Sequence, residues 1–104
     1  MEATIGRIVI YQLNAQQAED INRRRQDAYD IQDRIKAGTW PMGTQAHVGN
    51  LAEAGQEYPM LIVRVWSGTT VNGQVFLDGN DVLWTTSVQE GVGPGKWYFP
   101  VYVK

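Results

Sequence analysis

Two short turn sequences in the second half of the chain constrain its fold more than any other feature. The tetrapeptides Ser-Gly-Thr-Thr at 67–70 and Asp-Gly-Asn-Asp at 78–81 separate three runs rich in β-branched and aromatic residues, at 59–66, 71–77 and 82–88. Glycine and Asx residues between such runs are typical of β-hairpin turns. Because a hairpin joins antiparallel strands that are neighbours in a sheet, the sequence predicts a three-stranded meander.

One further strand at each end of the chain and a single helix complete the predicted fold. Residues 6–13 and 96–103 have the composition of strands. Asn14 and Gln17 are spaced as the two members of a capping box, which predicts a helix over 15–37. About five strands with a helix inserted after the first predict an α+β fold, a small SH3-like antiparallel β-barrel. The whole chain of 104 residues is expected to form this one domain.

The predicted helix carries its apolar residues mostly at intervals of three and four, as an amphipathic helix does. These residues are Ala18, Ile21, Ala28, Ile31 and Ile35. The stripe is thin in the middle, so the pattern also allows a break near 26–30. Gly38 is expected to end the helix, and Pro41 to prevent its return.

Three consecutive arginines lie on this helix, at 23–25. Asp20 precedes Arg24 by four residues, a spacing that favours an ion pair on the helix surface. Successive residues of a helix point about 100° apart, so at least one of the three arginines must face the sheet. The others are either solvated or part of a binding site, and the sequence leaves both open.

Alternation within the meander divides its residues between two faces of the sheet. The aliphatic face is the predicted core: Leu61, Val63, Val65, Val71, Val75 and Leu77. The opposite face is mixed: Met60, Ile62, Arg64, Trp66, Asn72, Gln74, Phe76 and Asp78. Because Ile62, Trp66 and Phe76 are unusual on a solvated face, we expect the helix, a second copy or a ligand to cover it.

Several classes of function are disfavoured by what the chain lacks. It has no cysteine and a single histidine, His47, so we expect no catalytic residues, no metal and no cofactor. Asp78 and Asp81 are assigned to hydrogen bonds of the hairpin turn. A net charge of −2 argues against duplex DNA as a partner. The apolar runs are too short to cross a membrane.

Aromatic residues beside a cation and hydroxyl groups predict a site for a small nucleotide. Trp97 can stack on a base while its neighbour Lys96 contacts a phosphate. Two hydroxyl residues follow Trp84 closely and can hydrogen-bond to a base edge or a phosphate. The predicted ligand-binding residues are Tyr11, Arg24, Trp84, Thr86, Ser87, Lys96 and Trp97. The alternative for Trp97 is that its ring closes one end of the barrel, and the sequence does not separate the two roles.

Most of the chain resembles a widespread family of small proteins encoded by tailed phages and prophages. The matching segments are 6–11, 21–25, 46–50, 55–59, 63–66, 71–81, 84–87 and 93–100. A looser similarity is to viral sponge proteins that sequester cyclic-nucleotide signals of anti-phage defence. It is carried by the opening strand at 6–11, by the strand that follows Glu-Tyr-Pro at 57–59, and by the tail Gly-Lys-Trp-Tyr-Phe-Pro at 95–100. Tyr98 and Phe99 depart from the His and Trp of that group.

Two functions follow from these observations as expectations. The first is a non-catalytic sponge that sequesters a small nucleotide second messenger in the cytoplasm of the infected bacterial host. The second is a structural or assembly component of a phage virion that docks through the aromatic sheet face. In either case a homo-oligomer is expected, because Ile62, Trp66 and Phe76 present more apolar surface than one helix hides.

Overall fold

The computed structural model describes residues 2–36, 38 and 46–101 of the chain. Its elements, in chain order, are β1 (Ile8–Gln12), α1 (Ala15–Lys36), β2 (Glu57–Ser67), β3 (Thr70–Phe76), β4 (Val82–Gln89) and β5 (Trp97–Tyr98). The expected helix end at Ala37, the role given to Pro41 and the end of the last predicted strand at 102–103 lie outside the described residues. Within the described part, no helix is long and apolar enough to span a membrane.

The five strands form one curled antiparallel sheet in the order β4-β3-β2-β1-β5. A bridge between Glu90 and Trp97 brings the end of β4 back towards β5. The backbone N–H of Gly91 donates to the carbonyl of Trp97 over 2.8 Å, and the Trp97 indole Nε1 donates to the carbonyl of Thr69 over 3.0 Å. The chain is therefore a small α+β domain whose sheet closes into a half-barrel.

The single helix begins as the sequence predicts. The Gln17 backbone N–H donates to Asn14 Oδ1 over 2.8 Å, and the Asn14 N–H donates to Gln17 Oε1 over 3.1 Å. This reciprocal pair is a capping box that satisfies two otherwise free donors. The helix then continues to Lys36 with no break at 26–30, and Gly38 follows with a positive φ of 72°.

The core lies on the concave side of the sheet, which we call the inner face. One row of side chains crosses it directly, from Val9 in β1 through Met60 and Val75 to Leu83 in β4. The predicted core residues Val71 and Val75 of β3, and Leu77 just after it, are all buried. From the helix side, Ala18 and Ile21 pack into the same cluster, as does Ala52 from the loop before β2.

The predicted face of β2 is wrong for residues 60–63 and is confirmed for Val65, which packs against the core. Met60 and Ile62 are fully buried in the core, whereas Val63, which was assigned to the core, is 39% exposed. A β-bulge between Ile62 and Arg64 places one extra residue in β2, and the alternation changes phase there. Val65, three residues after Ile62, consequently packs against the core as well. All these residues are apolar, so alternation of residue type could not identify the buried set.

The inward position of Ile62 and the outward position of Val63 can be tested with two adjacent substitutions. Ile62→Ala should destabilise the protein by about 2–5 kcal/mol, because it opens a cavity in the core. Val63→Ala should change the free energy of unfolding by no more than about 0.5 kcal/mol, because that side chain is on the surface. Urea unfolding of both variants beside the wild type measures the difference. Equal losses in the two variants would contradict the observed register.

Candidate functional site

The structure divides the seven predicted ligand-binding residues among four places. Two of them, Tyr11 and Trp97, are paired across β1 and β5 on the inner face. Trp97 is fully buried, and its ring meets Phe99 edge to face with 5.0 Å between ring centroids. The Tyr11 hydroxyl donates to Gln17 Oε1 over 2.7 Å. In this conformation neither aromatic ring has a face open to a ligand, and Trp97 occupies the barrel-closing position that the sequence left open.

Arg24 lies at a second place, where β4 begins. One of its guanidinium nitrogens is 3.0 Å from Asp81 Oδ2 and 3.0 Å from the carbonyl oxygen of Val82. The expected surface pair with Asp20 is replaced by this contact, because Asp81 offers a carboxylate that is almost completely buried. Asp20 is instead 3.6 Å from Arg23. The charge of Arg24 is therefore already offset within the chain.

Trp84, Thr86 and Ser87 occupy a third place, on the exposed side of β4. Trp84 is 60% exposed, and Thr86 lies two residues further along the same face. Ser87 has a positive φ of 53°, and its backbone N–H donates to the Asn72 side chain over 2.9 Å. Lys96 is exposed in the loop before β5. The seven residues do not line one pocket in this structure, and their role as a nucleotide site stays a prediction.

An arginine that the sequence did not single out forms the centre of the polar interior. Arg25 is 1% exposed, and its guanidinium donates to both carboxylate oxygens of Asp81, over 3.1 and 2.9 Å. The same group donates to the carbonyls of Asn50, over 3.1 Å, and His47, over 2.7 Å. The expectation that one arginine of 23–25 faces inward is thus confirmed. Asp81, however, binds these arginines, so its assignment to the hairpin turn is wrong.

The electrostatics of this cluster favour the charged form of Asp81. Burial alone would raise the pKa of its carboxyl. Hydrogen bonds and positive charge from Arg25, and then from Arg24, outweigh that effect and hold the pKa below its ordinary value of 3.8. Asp81 is therefore a structural anion whose two carboxylate oxygens accept three hydrogen bonds from the arginines.

Two rows of side chains cross the opposite, convex side of the sheet, which we call the outer face. The first row runs Ile8, Leu61, Gln74 and Trp84, as direct cross-strand partners from β1 to β4. The second row follows from the same register: Ile10, Pro59, Phe76 and Val82. Four of these side chains are strongly exposed, with Ile8 at 52%, Phe76 at 41%, Val82 at 43% and Trp84 at 60%.

A stacked pair extends the outer face at the other end of the sheet. The Arg64 guanidinium lies 3.8 Å from the centre of the Trp66 ring, a cation–π contact. The Trp66 indole N–H donates to Asn72 Oδ1 over 2.8 Å. Trp66 remains 52% exposed. The outer face is thus a broad apolar surface with three accessible aromatic rings, those of Trp66, Phe76 and Trp84.

Sequence reasoning found part of this surface and missed the rest. Trp66 and Phe76 lie on the outer face as predicted, but Ile62 belongs to the core. Ile8 was not assigned to this face, and the assignment of Leu61 to the core is wrong, because its pairing with Ile8 and Gln74 places it in the outer row. The useful indication was the turn at 78–81, because it sets which residues of β3 and β4 lie opposite each other.

Neither of two clefts that the structure contains is lined by a predicted ligand-binding residue. One cleft, of about 120 Å³, lies between Arg25, Tyr29 and Gly49. The other lies beside Glu2, Val65 and Thr69. In the described ranges 2–36, 38 and 46–101, no group of three or more histidine or acidic side chains is arranged to hold a metal ion. Comparisons with protein-family models, curated proteins and solved structures found no match in any of the three.

The buried ion pair generates a prediction about acid stability. Asp81→Asn should cost about 3–5 kcal/mol at neutral pH, because it leaves Arg25 buried without its counter-charge. Since the folded-state pKa of Asp81 is lowered, the pair stabilises the protein above pH 3.8 and loses this contribution as the pH falls through the lower value. Wild-type stability should therefore fall more steeply than that of Asp81→Asn from about pH 5 to about pH 2. Parallel acid-dependence in urea unfolding of the two proteins would contradict this role.

A second prediction separates the two tryptophans that the sequence treated alike. Trp97→Ala should destabilise the protein by about 3–5 kcal/mol, because its ring is fully buried and hydrogen-bonded. Trp84→Ala should cost less than about 1 kcal/mol, because its ring is mostly in solvent. Thermal and urea unfolding of the matched variants provide the measurement. A Trp97→Ala protein as stable as the wild type would show that the ring is not a core element.

Proposed function

We propose that this protein is a non-catalytic binding protein that docks through the outer face of its sheet onto an apolar surface of another protein. The exposure of Trp66, Phe76 and Trp84 on one continuous face is the observation that supports it. Exposed apolar surfaces of this kind mark interaction sites in soluble proteins, and aromatic rings supply most of the energy at such interfaces. We take the half-barrel to be an SH3-like barrel whose convex side serves this purpose.

The resemblance described above suggests what the partner is. In a protein similar to small tailed-phage proteins, the docking face would contact a virion or assembly component. A broad face that combines aliphatic rows with the amide of Gln74 suits a protein partner better than a small polar ligand. Apart from Arg64, which is stacked on Trp66, the rows described above carry no charged side chain, so binding there should depend only weakly on salt.

Nucleotide capture is the second candidate, and one observation favours it. Trp84 presents a free indole face, and Thr86 places a hydroxyl beside it on the same side of β4. A base stacked on an exposed tryptophan and hydrogen-bonded to a neighbouring hydroxyl is a common arrangement. Under this proposal the protein would act as a sponge for a cyclic nucleotide of anti-phage defence, with Trp84 rather than Trp97 as the stacking ring.

The docking proposal can be tested with a photo-crosslinking amino acid. Benzoylphenylalanine placed at Trp84 should cross-link a phage structural or assembly protein in infected cells. The same probe at Val92, which is 91% exposed but lies outside the sheet, should not. With the purified partner, Trp84→Ala should weaken binding by about 2 kcal/mol or more, and Val92→Ala should leave it unchanged. Equal cross-linking from both positions would contradict docking through the outer face.

The variant Trp84→Ala also distinguishes docking onto a protein from nucleotide capture. The purified protein is incubated with a panel of cyclic dinucleotides, cyclic trinucleotides and cyclic ADP-ribose forms and followed by calorimetry. The docking proposal expects no binding to any of them. Tight binding that Trp84→Ala abolishes, with intact nucleotide recovered after heat denaturation, would instead establish sequestration and overturn docking as the primary role.

A further inference from the structure

β4 forms one edge of the sheet and has few of the features that protect an edge strand. Its sequence from Val82 to Gln89 contains no charged residue and no proline. Natural proteins usually place lysine, proline or a very short strand at an exposed edge, because its unpaired backbone groups can bind another strand. An uncharged edge strand of eight residues is therefore a template for pairing with a further chain.

The hydrogen-bond pattern shows which backbone groups of β4 are directed to the free side. The Leu77 N–H donates to the Asp81 carbonyl, so this pair is hydrogen-bonded. In an antiparallel ladder bonded and non-bonded pairs alternate, so Leu83 and Thr85 bond to β3 and the even-numbered residues point away. The hydrogen bond from Arg24 to the Val82 carbonyl agrees with this alternation, because that carbonyl points to the free side of β4. Among the described residues, none bonds to the backbone of Trp84 on the free side.

The part of the β4 edge that is free to pair is limited by a different feature at each end. Before Val82, Asp81 is held by the buried arginines. After Thr86, the positive φ of Ser87 and the shift in the β3–β4 register bend the strand. The straight part of the edge is thus 82–86. Its midpoint is Trp84, the residue whose N–H and carbonyl both point outwards.

We propose that the edge at 82–86 pairs with the same segment of a second copy of this chain, antiparallel and about a two-fold axis at Trp84. Trp84 then lies opposite its counterpart, and Val82 lies opposite Thr86 in both directions. About six backbone hydrogen bonds form, two for each facing pair. In two of them the Val82 carbonyl uses one lone pair for Thr86 of the second copy and the other for Arg24 of its own chain. The partner is a second copy because the outward backbone groups of Val82, Trp84 and Thr86 are spaced evenly about Trp84, so the edge is complementary to itself and one surface supplies both halves of the interface.

The side chains of the segment favour the same arrangement. Val82, Trp84 and Thr86 all lie on the outer face, so pairing places the two Trp84 rings side by side and covers part of their exposed area. Neither segment carries a charge, and no like charges meet across the axis. The two outer faces join into one surface across ten strands. This proposal does not depend on what the outer face binds.

A cysteine probe tests the register, because the chain has no cysteine of its own. Trp84→Cys should form an intermolecular disulfide under mild oxidation, since directly paired Cα atoms lie about 5.5 Å apart. Gln74→Cys is the matched control on the same face, one strand inward. Its two copies would lie about 14 Å apart, three strand spacings, which is too far for a disulfide. Cross-linking at both positions, or at Gln74 alone, would overturn edge pairing.

A backbone substitution tests the hydrogen bonds. Thr86→Pro removes an N–H that points to the free edge and leaves the ladder to β3 intact. Light scattering should give twice the chain mass of 11.7 kDa for the wild type and for Thr86→Val, and the monomer mass for Thr86→Pro. A monomeric wild type at micromolar concentration, or a folded and still dimeric Thr86→Pro, would overturn the proposal. If Thr86→Pro fails to fold, the cysteine pair alone decides.

Discussion

The buried pair of Arg25 and Asp81 is the interaction on which the arrangement of this chain depends. A guanidinium group without solvent is very costly unless its donors are bonded and its charge is balanced. Arg25, on α1, meets that requirement with groups from two other segments: the carbonyls of the loop at 47–50 and the carboxylate before β4. None of these segments is a neighbour of another in the chain, so one side chain sets how helix, loop and hairpin meet.

The close packing around this guanidinium explains two glycines. A side chain at Gly79 would begin 2.5 Å from the Val48 carbonyl and 2.8 Å from the Arg25 guanidinium. One at Gly49 would begin 2.4 Å from the Asp78 carbonyl. The backbones at 48–49 and 78–79 touch here and form a bridge outside the main sheet. The loop and the hairpin can therefore approach closely enough to surround Arg25 only because neither carries a Cβ at these positions.

The sequence predicted best the structural features that are determined by residues close together in the chain. The capping box of α1, both hairpins and the alternation of β3 all depend on chemistry within a few residues, and the structure contains them. The inward face of β2 was wrong because a bulge at Val63 has no glycine or proline to mark it. The interior ion pair was missed because Arg25 and Asp81 are 56 residues apart. Trp97 and Trp84 look equivalent in sequence, and only the register places one inside and the other outside.

The interior cluster also determines what the surface offers to a partner. Among the described residues, α1 and the loop before β2 cover the inner face, and no second layer covers the aromatic rings of the outer face. Arg25 fixes Asp81, and Asp81 fixes the phase of the hydrogen bonds along β4. Arg24, next to it on the helix, binds the first outward carbonyl at Val82. The ion pair thus fixes the start of β4 on the inner side, and the register set by the turn at 78–81 then directs the Trp84 backbone to the free edge and its ring to the outer face.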